Sequence, residues 1–262
     1  MKVGFVQNHP QFGNIQGNLS RIEEMLDGKM ADLFVLPELF STGYRFKKMD
    51  EAHHYAELVP GGVVTSFLMS LAKKINTHFI AGLVEIDDDR IYNSSITVGP
   101  EGFIGRYRKI HLFDTEKACF HTGSEAPPVF NLNGIKVGVM ICFDWRFPEI
   151  ARSLALNGAE IIAHPSNLVL PHCPQAMITR SLENRVYTVT ANRVGNENRV
   201  PDELLHFIGQ SQVVDPDGNI LIRASEIEEE VQIVEIDIGK AREKFINSKN
   251  DIFKDRRPDL YS

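Results

Sequence analysis

The chain has 262 residues, of which 43% are hydrophobic and 24% charged, a composition typical of a folded protein with a sizeable core. Its formal net charge of -7 argues against a nucleic acid or an anionic membrane surface as partner, because both need an excess of lysine and arginine. The N-terminus enters a strand-like run without a secretion signal, and no stretch approaches about 18 uninterrupted apolar residues. We therefore expect a cytoplasmic protein that binds a small molecule.

The first elements predict a parallel β-sheet covered by helices. Lys2 to Gln7 is an apolar run typical of a buried strand, and Leu33 to Leu36 is another. The segment between them, Asn18 to Asp27, has the apolar spacing of one helix face: Leu19, Ile22, Met25 and Leu26. The order strand, helix, strand indicates a βαβ unit, whose parallel strands are normally covered by helices.

A β-hairpin is predicted next. Thr65 to Lys74 is helical in pattern, and the strands His78 to Glu85 and Ile91 to Val98 follow it. The polar turn Asp87 to Asp89 between these strands predicts antiparallel pairing. A Gly-Pro-Glu-Gly turn then leads into a third strand, Phe103 to Lys109.

The second half of the chain repeats the first in outline. Three pairs of segments resemble each other in the same order: KVGFVQ at Lys2 and KVGVMI at Lys136, ADLFVLPE at Ala31 and AEIIAHPS at Ala159, ITVGPEGFIGR at Ile96 and VVDPDGNILIR at Val213. Two such halves would pack sheet against sheet with helices outside. We therefore predict one domain over residues 1–262, an α/β fold built as a four-layer αββα sandwich with an internal pseudo-twofold repeat.

One of the three cysteines has the setting of a nucleophile. Cys119, Cys142 and Cys173 form an odd set without CxxC spacing, which favours neither a disulfide framework nor a zinc cluster. Cys142 ends an apolar strand in GIKVGVMICFDWRFP, and a helix is expected to begin at Pro148. A strand-to-helix turn can present a side chain at the rim of a sheet beside exposed backbone N–H groups.

Two charged residues are the possible partners of this thiol. Glu38 follows an apolar strand, where burial would suit it to be a general base or acid, although an isolated glutamate commonly caps a turn or pairs on the surface. Strand alternation in GRYRKIHLFD predicts that Tyr107 and Lys109 point inward together. A buried lysine needs a compensating charge, and Glu38 or Cys142 could supply it. At about 4 Å its attraction for a thiolate would be about 4 kcal/mol for an effective dielectric constant of about 20, enough to favour the thiolate.

The segments LPELF, GRYRKIHLF and GVMICFDWRFPE resemble the glutamate, lysine and cysteine motifs of the nitrilase superfamily. The similarity covers almost the whole chain, including NRVYTVTANRVG and FKDRRPDLY. It implies an αββα fold that associates with a second copy, and hydrolysis of nitriles, amides or carbamoylated amines without a metal or organic cofactor. By position it implies Glu38 as general base, Lys109 as oxyanion stabiliser and Cys142 as nucleophile.

Further site residues follow from the same resemblance. Many members carry a second glutamate that orients the substrate and the lysine, and Glu116 in DTEKACF stands in its place, with Glu125 in GSEAPP as the alternative. The backbone N–H of Phe143 is expected to donate to the oxyanion. His111 is expected behind the site, within reach of a catalytic carboxylate or as a structural group.

Two further sets of residues bear on the substrate pocket and on metal binding. Side chains next to the motif residues are expected to line the substrate pocket: Tyr44, Phe143, Arg146 and Asn167. His164, His172 and Cys173 do not match a standard zinc spacing, and the resemblance implies no metal.

The predicted function is hydrolysis of a small amide or N-carbamoyl compound through a cysteine thioester, releasing ammonia or an amine. Nitrile hydrolysis to acid and ammonia stays open, because the same thiol can attack either kind of carbon. A catalytically silent interaction module is the alternative from another class, and the presence of all three residue types argues against it. Glutaminase-like transfer of ammonia would predict a synthetase domain, which we do not find in 262 residues.

The C-terminal segment bears on assembly. Gly239 to Ser262 carries four large apolar side chains among charges: Phe245, Ile246, Ile252 and Phe253. We expect this segment either to lie in a homodimer interface, as the resemblance implies, or to pack on its own chain.

Overall fold

A computed structural model describes residues 1–261. The strands, in chain order, are β1 (Lys2–Gln7), β2 (Leu33–Val35), β3 (Glu57–Leu58), β4 (His78–Asp87), β5 (Arg90–Gly99), β6 (Gly102–Arg108), β7 (Val129–Leu132), β8 (Ile135–Val139), β9 (Ile161–Pro165), β10 (Tyr187–Ala191), β11 (Asn196–Val200), β12 (Glu203–His206), β13 (Gln212–Val214), β14 (Ile220–Arg223), β15 (Glu230–Glu235), β16 (Phe245–Asn247) and β17 (Asn250–Asp251). The helices are α1 (Ile15–Leu26), α2 (Met49–Tyr55), α3 (Val63–Ile75), α4 (Pro148–Leu156), α5 (His172–Asn184) and α6 (Gly239–Arg242), with 3₁₀ turns at Asp114–Ala118 and Cys142–Arg146. Within this range, no helix is both long enough and apolar enough to cross a membrane.

Two sheets share one topology. The first has the order β15-β1-β2-β4-β5-β6, with β3 beside β4, and the second has the order β14-β13-β10-β9-β8-β7. Each has three adjacent parallel strands, an antiparallel strand on one side and an antiparallel pair on the other. The strands that correspond are those of the three similar segment pairs, so the predicted internal repeat is confirmed. The halves differ in one edge strand, since β7 directly precedes β8 whereas β15 comes from late in the chain.

The layers follow from which side of each strand is apolar. Val3 and Phe5 on β1 belong to the core between the sheets, whereas Val6 packs on the outer side against α1 and α3. On the other side of the molecule, α4 and α5 cover the second sheet. Because their strands are buried on both faces, they appear in the sequence as continuous apolar runs. The predicted four-layer αββα sandwich is confirmed.

Side-chain caps shift two helix starts from the predicted positions. Helix α1 begins at Ile15 rather than Asn18, because the side chain of Asn14 accepts a hydrogen bond from the Gly17 N–H (3.2 Å). Helix α3 begins at Val63, and the carboxylate of Glu57, from the preceding strand, accepts from its first turn. That second cap lies several residues upstream, where local pattern does not reveal it.

The C-terminal segment packs partly on its own chain. Arg242 pairs with Glu160, and the Lys244 ammonium donates to the Asn184 and Arg185 carbonyls at 3.1 and 2.6 Å. Several large side chains remain exposed: Phe245, Ile246, Leu260 and Tyr261. The last residue of the predicted interface segment, Ser262, lies outside the described residues.

Gly82 on β4 offers a test of how the fold holds the turn after β2. A Cβ added at Gly82 would lie 2.5 Å from the Glu38 Cα and 2.7 Å from the Leu39 nitrogen. Backbone atoms would have to shift, so Gly82→Ala should lower the free energy of unfolding by about 1–3 kcal/mol, measured by urea denaturation. Gly61→Ala is the control, since a Cβ there meets nothing within 4 Å. Equal stability of the two variants would contradict this packing.

Candidate active site

The ends of three strands bring the predicted residues together. Glu38 lies three residues after β2, and Lys109 directly follows β6, both in the first sheet. Cys142 lies after β8 of the second sheet, so the site is at the junction between the two halves. Leu39, with a backbone φ of 51°, turns the chain sharply just after Glu38. The strand ends thus bring together Glu38 and Lys109, which are 71 residues apart in sequence, and Cys142, which is 33 residues after Lys109.

Lys109 lies between two buried carboxylates. Its ammonium donates to Glu38 Oε1 at 2.6 Å and to Glu116 Oε1 at 2.8 Å. All three side chains are almost fully buried, with at most 3% exposure. Burial alone would lower the pKa of Lys109, but the charges of Glu116 and Glu38 outweigh it and raise that pKa above its ordinary value. Lys109 is therefore a permanently charged group.

Glu116, rather than Glu125, joins this cluster. The Tyr44 hydroxyl donates to Glu116 Oε1 at 2.7 Å, and the Phe113 N–H donates to Oε2 at 3.2 Å. Burial raises the pKa of Glu116 to about 7, against the opposing effect of the Lys109 ammonium. Glu125 is exposed on the following loop.

The two oxygens of Glu38 have different surroundings. Oε1 accepts from Lys109 and also from the Asn93 amide at 2.7 Å. Oε2 is buried and has no hydrogen-bond partner among residues 1–261. A buried oxygen without a partner is costly, and this one is free to accept a hydrogen bond from a further group. Asn93 was not predicted as a site residue, because it lies within β5 and no local pattern marks it.

Cys142 lies in a strained turn beside Glu38. Its φ is +41°, in the left-handed region that a non-glycine residue rarely adopts. Its thiol donates to the Asn167 carbonyl at 3.8 Å, while the Asn167 amide donates to the Glu38 carbonyl at 2.8 Å. Asn167 thus links the loops that carry the two residues. Phe143 is the second residue of the 3₁₀ turn Cys142–Arg146, where the first N–H groups have no partner within the helix.

The resting state of this thiol differs from the prediction. Burial raises the pKa of Cys142 well above its ordinary value, and the charge of Glu38 adds to the effect. The Lys109 ammonium acts in the predicted direction but is outweighed. The expectation that Lys109 alone would favour the thiolate was therefore wrong, and the resting thiol is protonated.

Asp144 fixes the turn that carries Cys142. Its Oδ2 accepts from the Ile141 N–H at 2.8 Å and from the Tyr107 hydroxyl at 2.9 Å, and its Oδ1 lies 2.8 Å from His111 Nδ1. The His111 ring also stacks on Phe147, with centroids 3.7 Å apart. His111 therefore contacts Asp144 rather than either catalytic carboxylate candidate. Asp144 was not predicted as a site residue. Its position shortly after a strand was a usable signal, because aspartate is common in turns.

A cavity of about 350 Å³ opens beside Cys142. Its wall is mostly apolar and is formed by Phe113, Cys142, Phe143, Trp145, Arg146, Asn167, Leu168, Val169, Leu170 and His172. Three of the predicted lining residues are in this wall, whereas Tyr44 is not. Tyr44 lies buried against Glu116, because its hydroxyl is bonded there.

His164 has a structural position behind the nucleophile. Its Nε2 lies 2.9 Å from the Cys142 carbonyl and its Nδ1 3.1 Å from the Thr190 hydroxyl. Burial lowers the pKa of His164 to about 4, so the ring is neutral at physiological pH. Within residues 1–261 no cluster of three or more His, Cys, Asp or Glu side chains is arranged to hold a metal ion.

The site combines a thiol, a carboxylate oxygen without a hydrogen-bond partner and a fixed ammonium. These are the groups needed to attack a carbonyl or nitrile carbon.

Residues 2–244 match the sequence profile of the carbon-nitrogen hydrolases. A nitrilase from Pyrococcus abyssi is 51% identical over 100% of this chain and 99% of its own length. A 2-oxoglutaramate amidase from Bacillus subtilis is 33% identical over 99% of this chain and 98% of its own.

Solved structures of nitrilase-superfamily proteins have the same fold as this chain. Saccharomyces cerevisiae Nit3, a member of branch 10 of the nitrilase superfamily, superposes with a TM-score of 0.80 at 30% identity, over 92% of each chain. The chain belongs to the carbon-nitrogen hydrolase family of the nitrilase superfamily. It is accordingly a hydrolase of carbon–nitrogen bonds other than peptide bonds.

The Asp144 network predicts a stability effect. Asp144→Ala leaves the Ile141 N–H and the Tyr107 hydroxyl buried without an acceptor, at about 1–3 kcal/mol each. Urea unfolding should show this loss. Tyr107→Phe is the matched control, because it removes a donor and should cost only about 0.5–1.5 kcal/mol. An Asp144→Ala midpoint equal to that of the unmodified protein would show that the network does not hold the turn.

Proposed function

We propose that the protein hydrolyses the carbon–nitrogen bond of a small amide or N-carbamoyl compound. In this proposal Cys142 is the nucleophile, Glu38 the general base and Lys109 the oxyanion stabiliser, while Glu116 orients Lys109. The observation that supports it most directly is the buried Glu38–Lys109–Glu116 cluster beside a thiol at a cavity wall.

The first half-reaction forms a thioester. Glu38 Oε2 takes the thiol proton as Cys142 Sγ bonds to the carbonyl carbon, and the carbonyl oxygen becomes an oxyanion. The Lys109 ammonium and the Phe143 N–H stabilise that charge. When the oxyanion collapses, the carbon–nitrogen bond breaks and the proton held by Glu38 passes to the leaving nitrogen. Ammonia or an amine departs, and the acyl group stays on sulfur.

The second half-reaction uses the same base for water. Glu38 takes a proton from a water molecule as its oxygen attacks the thioester carbon. The carbon–sulfur bond then breaks, and the Cys142 thiolate takes the proton back from Glu38. Lys109 keeps its proton throughout, because its pKa lies above its ordinary value. It therefore acts by charge and not by proton transfer.

The cavity supports a small substrate. A volume of about 350 Å³ with largely apolar walls is at the small end of ligand sites. Relatives named as amidases favour an amide or carbamoyl substrate. A relative named as a nitrilase favours nitrile hydrolysis as the second candidate, since Cys142 can attack a nitrile carbon to give the acid and ammonia.

Ammonia release tests the nucleophile. Purified protein should release ammonia from one class among short dicarboxylic monoamides, aliphatic amides, N-carbamoyl compounds and small nitriles. Cys142→Ala should abolish release, and Cys119→Ala, which removes another buried thiol, should retain it. Release from nitriles alone would replace the amide proposal with the second candidate. Activity retained in Cys142→Ala would contradict the assignment, and a silent interaction module would release nothing.

The pH profile tests Glu116. Its carboxylate form, which holds Lys109, is lost as the pH falls through about 7, because burial has raised its pKa to that value. We expect kcat/KM to decline below about pH 7, and Glu116→Gln to lower kcat and remove this limb. The same limb persisting unchanged in Glu116→Gln would show that another group titrates.

The proposed enzyme is a cytoplasmic homodimer. Its three cysteines are free, which fits a reducing compartment. The exposed apolar side chains at Phe245, Ile246 and Leu260 are suited to an interface with a second copy. Light scattering should give twice the chain mass of 29.5 kDa, and a monomer at all concentrations would refute the dimer.

A further inference from the structure

The loop after β2 carries Glu38, a member of the Glu38–Lys109–Glu116 cluster, and Tyr44, which donates to that cluster. It begins near Glu38 and reaches Tyr44, whose hydroxyl donates to Glu116 Oε1, the oxygen that also accepts from Lys109. The position of Lys109 therefore depends on how firmly this loop is held. The loop is not part of a sheet, so the N–H groups of Tyr44 and Arg45 have no strand partner and need another acceptor.

Glu197 on β11 supplies those acceptors. Its Oε1 accepts from the Tyr44 N–H at 3.0 Å, and its Oε2 accepts from the Arg45 N–H at 2.7 Å. Arg193, which is fully buried, pairs with the same carboxylate. Glu197 is 6% exposed, and all of these partners are donors.

The carboxylate lies directly against the loop backbone. Gly43 has a φ of +85°, and a Cβ there would lie 3.0 Å from Glu197 Oε1 and 2.8 Å from the Phe12 ring. A residue with a side chain at this position would push the loop away from Glu197. The close contact therefore depends both on the missing side chain at Gly43 and on the carboxylate of Glu197.

A second glutamate on the same hairpin contacts the loop differently. Glu203 on β12 pairs with the Arg45 side chain, at 2.6 Å, and its own side chain is 45% exposed. It makes a surface ion pair of the kind that contributes little to the free energy of folding. Comparing variants of the two glutamates therefore separates the effect of binding the loop backbone from the effect of a nearby negative charge.

We propose that Glu197 is a positioning residue of the active site, which clamps the Tyr44 and Arg45 amides so that the Tyr44 hydroxyl holds Glu116 and thereby Lys109. This inference rests on the proposed function, in which Lys109 stabilises the oxyanion. Glu197 is not in the wall of the cavity beside Cys142, so its effect should fall on kcat rather than KM.

The first test compares two isosteric variants. In Glu197→Gln the new NH₂ group must face a donor, either Arg193 or a loop amide, so the clamp opens on one side. We expect kcat to fall by about 10- to 100-fold with KM unchanged, as displacements of about 1 Å can cause. Glu203→Gln should change kcat by less than about twofold, as for other exposed pairs. Equal kcat in Glu197→Gln and the unmodified enzyme overturns the inference.

The second test asks whether the effect passes through Tyr44. The Tyr44 hydrogen bond and the Lys109 ammonium both lower the pKa of Glu116, whereas burial and Glu38 raise it. Loosening Tyr44 should therefore move the acidic limb of kcat/KM to higher pH in Glu197→Gln and not in Glu203→Gln. In a Tyr44→Phe background, Glu197→Gln should add little further loss. The full loss in both backgrounds would show that Glu197 acts by another route.

A variant with a shorter acidic side chain serves as the control for misfolding. Glu197→Asp keeps the charge opposite Arg193 but is one methylene too short to reach both amides, so it should fold and still lose kcat. Full activity in Glu197→Asp overturns the clamp. Absence of Cys142-dependent ammonia release from the unmodified enzyme would overturn the proposed function and this inference with it, whereas such release with unaltered Glu197 variants overturns the inference alone.

Discussion

The buried ammonium of Lys109 is the interaction on which the rest of the site depends. Removing one ammonium and two carboxylates from water costs several kcal/mol for each ion, and only close mutual contacts offset that cost. Glu38 and Glu116 approach Lys109 to 2.6 and 2.8 Å, and neutral groups such as Asn93 and Tyr44 supply further hydrogen bonds. The cluster therefore requires loops from different parts of the chain to converge, and it links the geometry of the fold to the chemistry of the site.

The same electrostatics determine when Cys142 becomes reactive. Its thiol is not activated at rest, because burial and the charge of Glu38 outweigh the attraction of Lys109 for the thiolate. In the proposed mechanism the proton moves to Glu38 as the bond to the substrate forms, and the negative charge passes onto the substrate oxygen near Lys109. A protonated resting thiol in a small apolar cavity is also a poorer target for adventitious oxidation or alkylation.

Much of this arrangement was predictable because it depends on local pattern. Strand alternation indicated that Lys109 points inward, a proline indicated the start of α4, and repeated segments indicated two sheets of one topology. The remaining features depend on partners distant in sequence. Glu197 meets Tyr44 across 153 residues, and Asn93 meets Glu38 across 55, so no window of sequence shows either pair. The predicted thiolate was wrong for a related reason, since one attraction was weighed without the burial that opposes it.

Trapping the covalent intermediate tests the central claim most directly. The enzyme would be mixed with a hydrolysed amide, quenched in acid from the first turnover onward, digested and examined by mass spectrometry. The account predicts a mass increase equal to the acyl group on the peptide that contains Cys142, present only with substrate. An acyl group on the Cys119 or Cys173 peptide, or product formation with no adduct on Cys142 at any quench time, would contradict it.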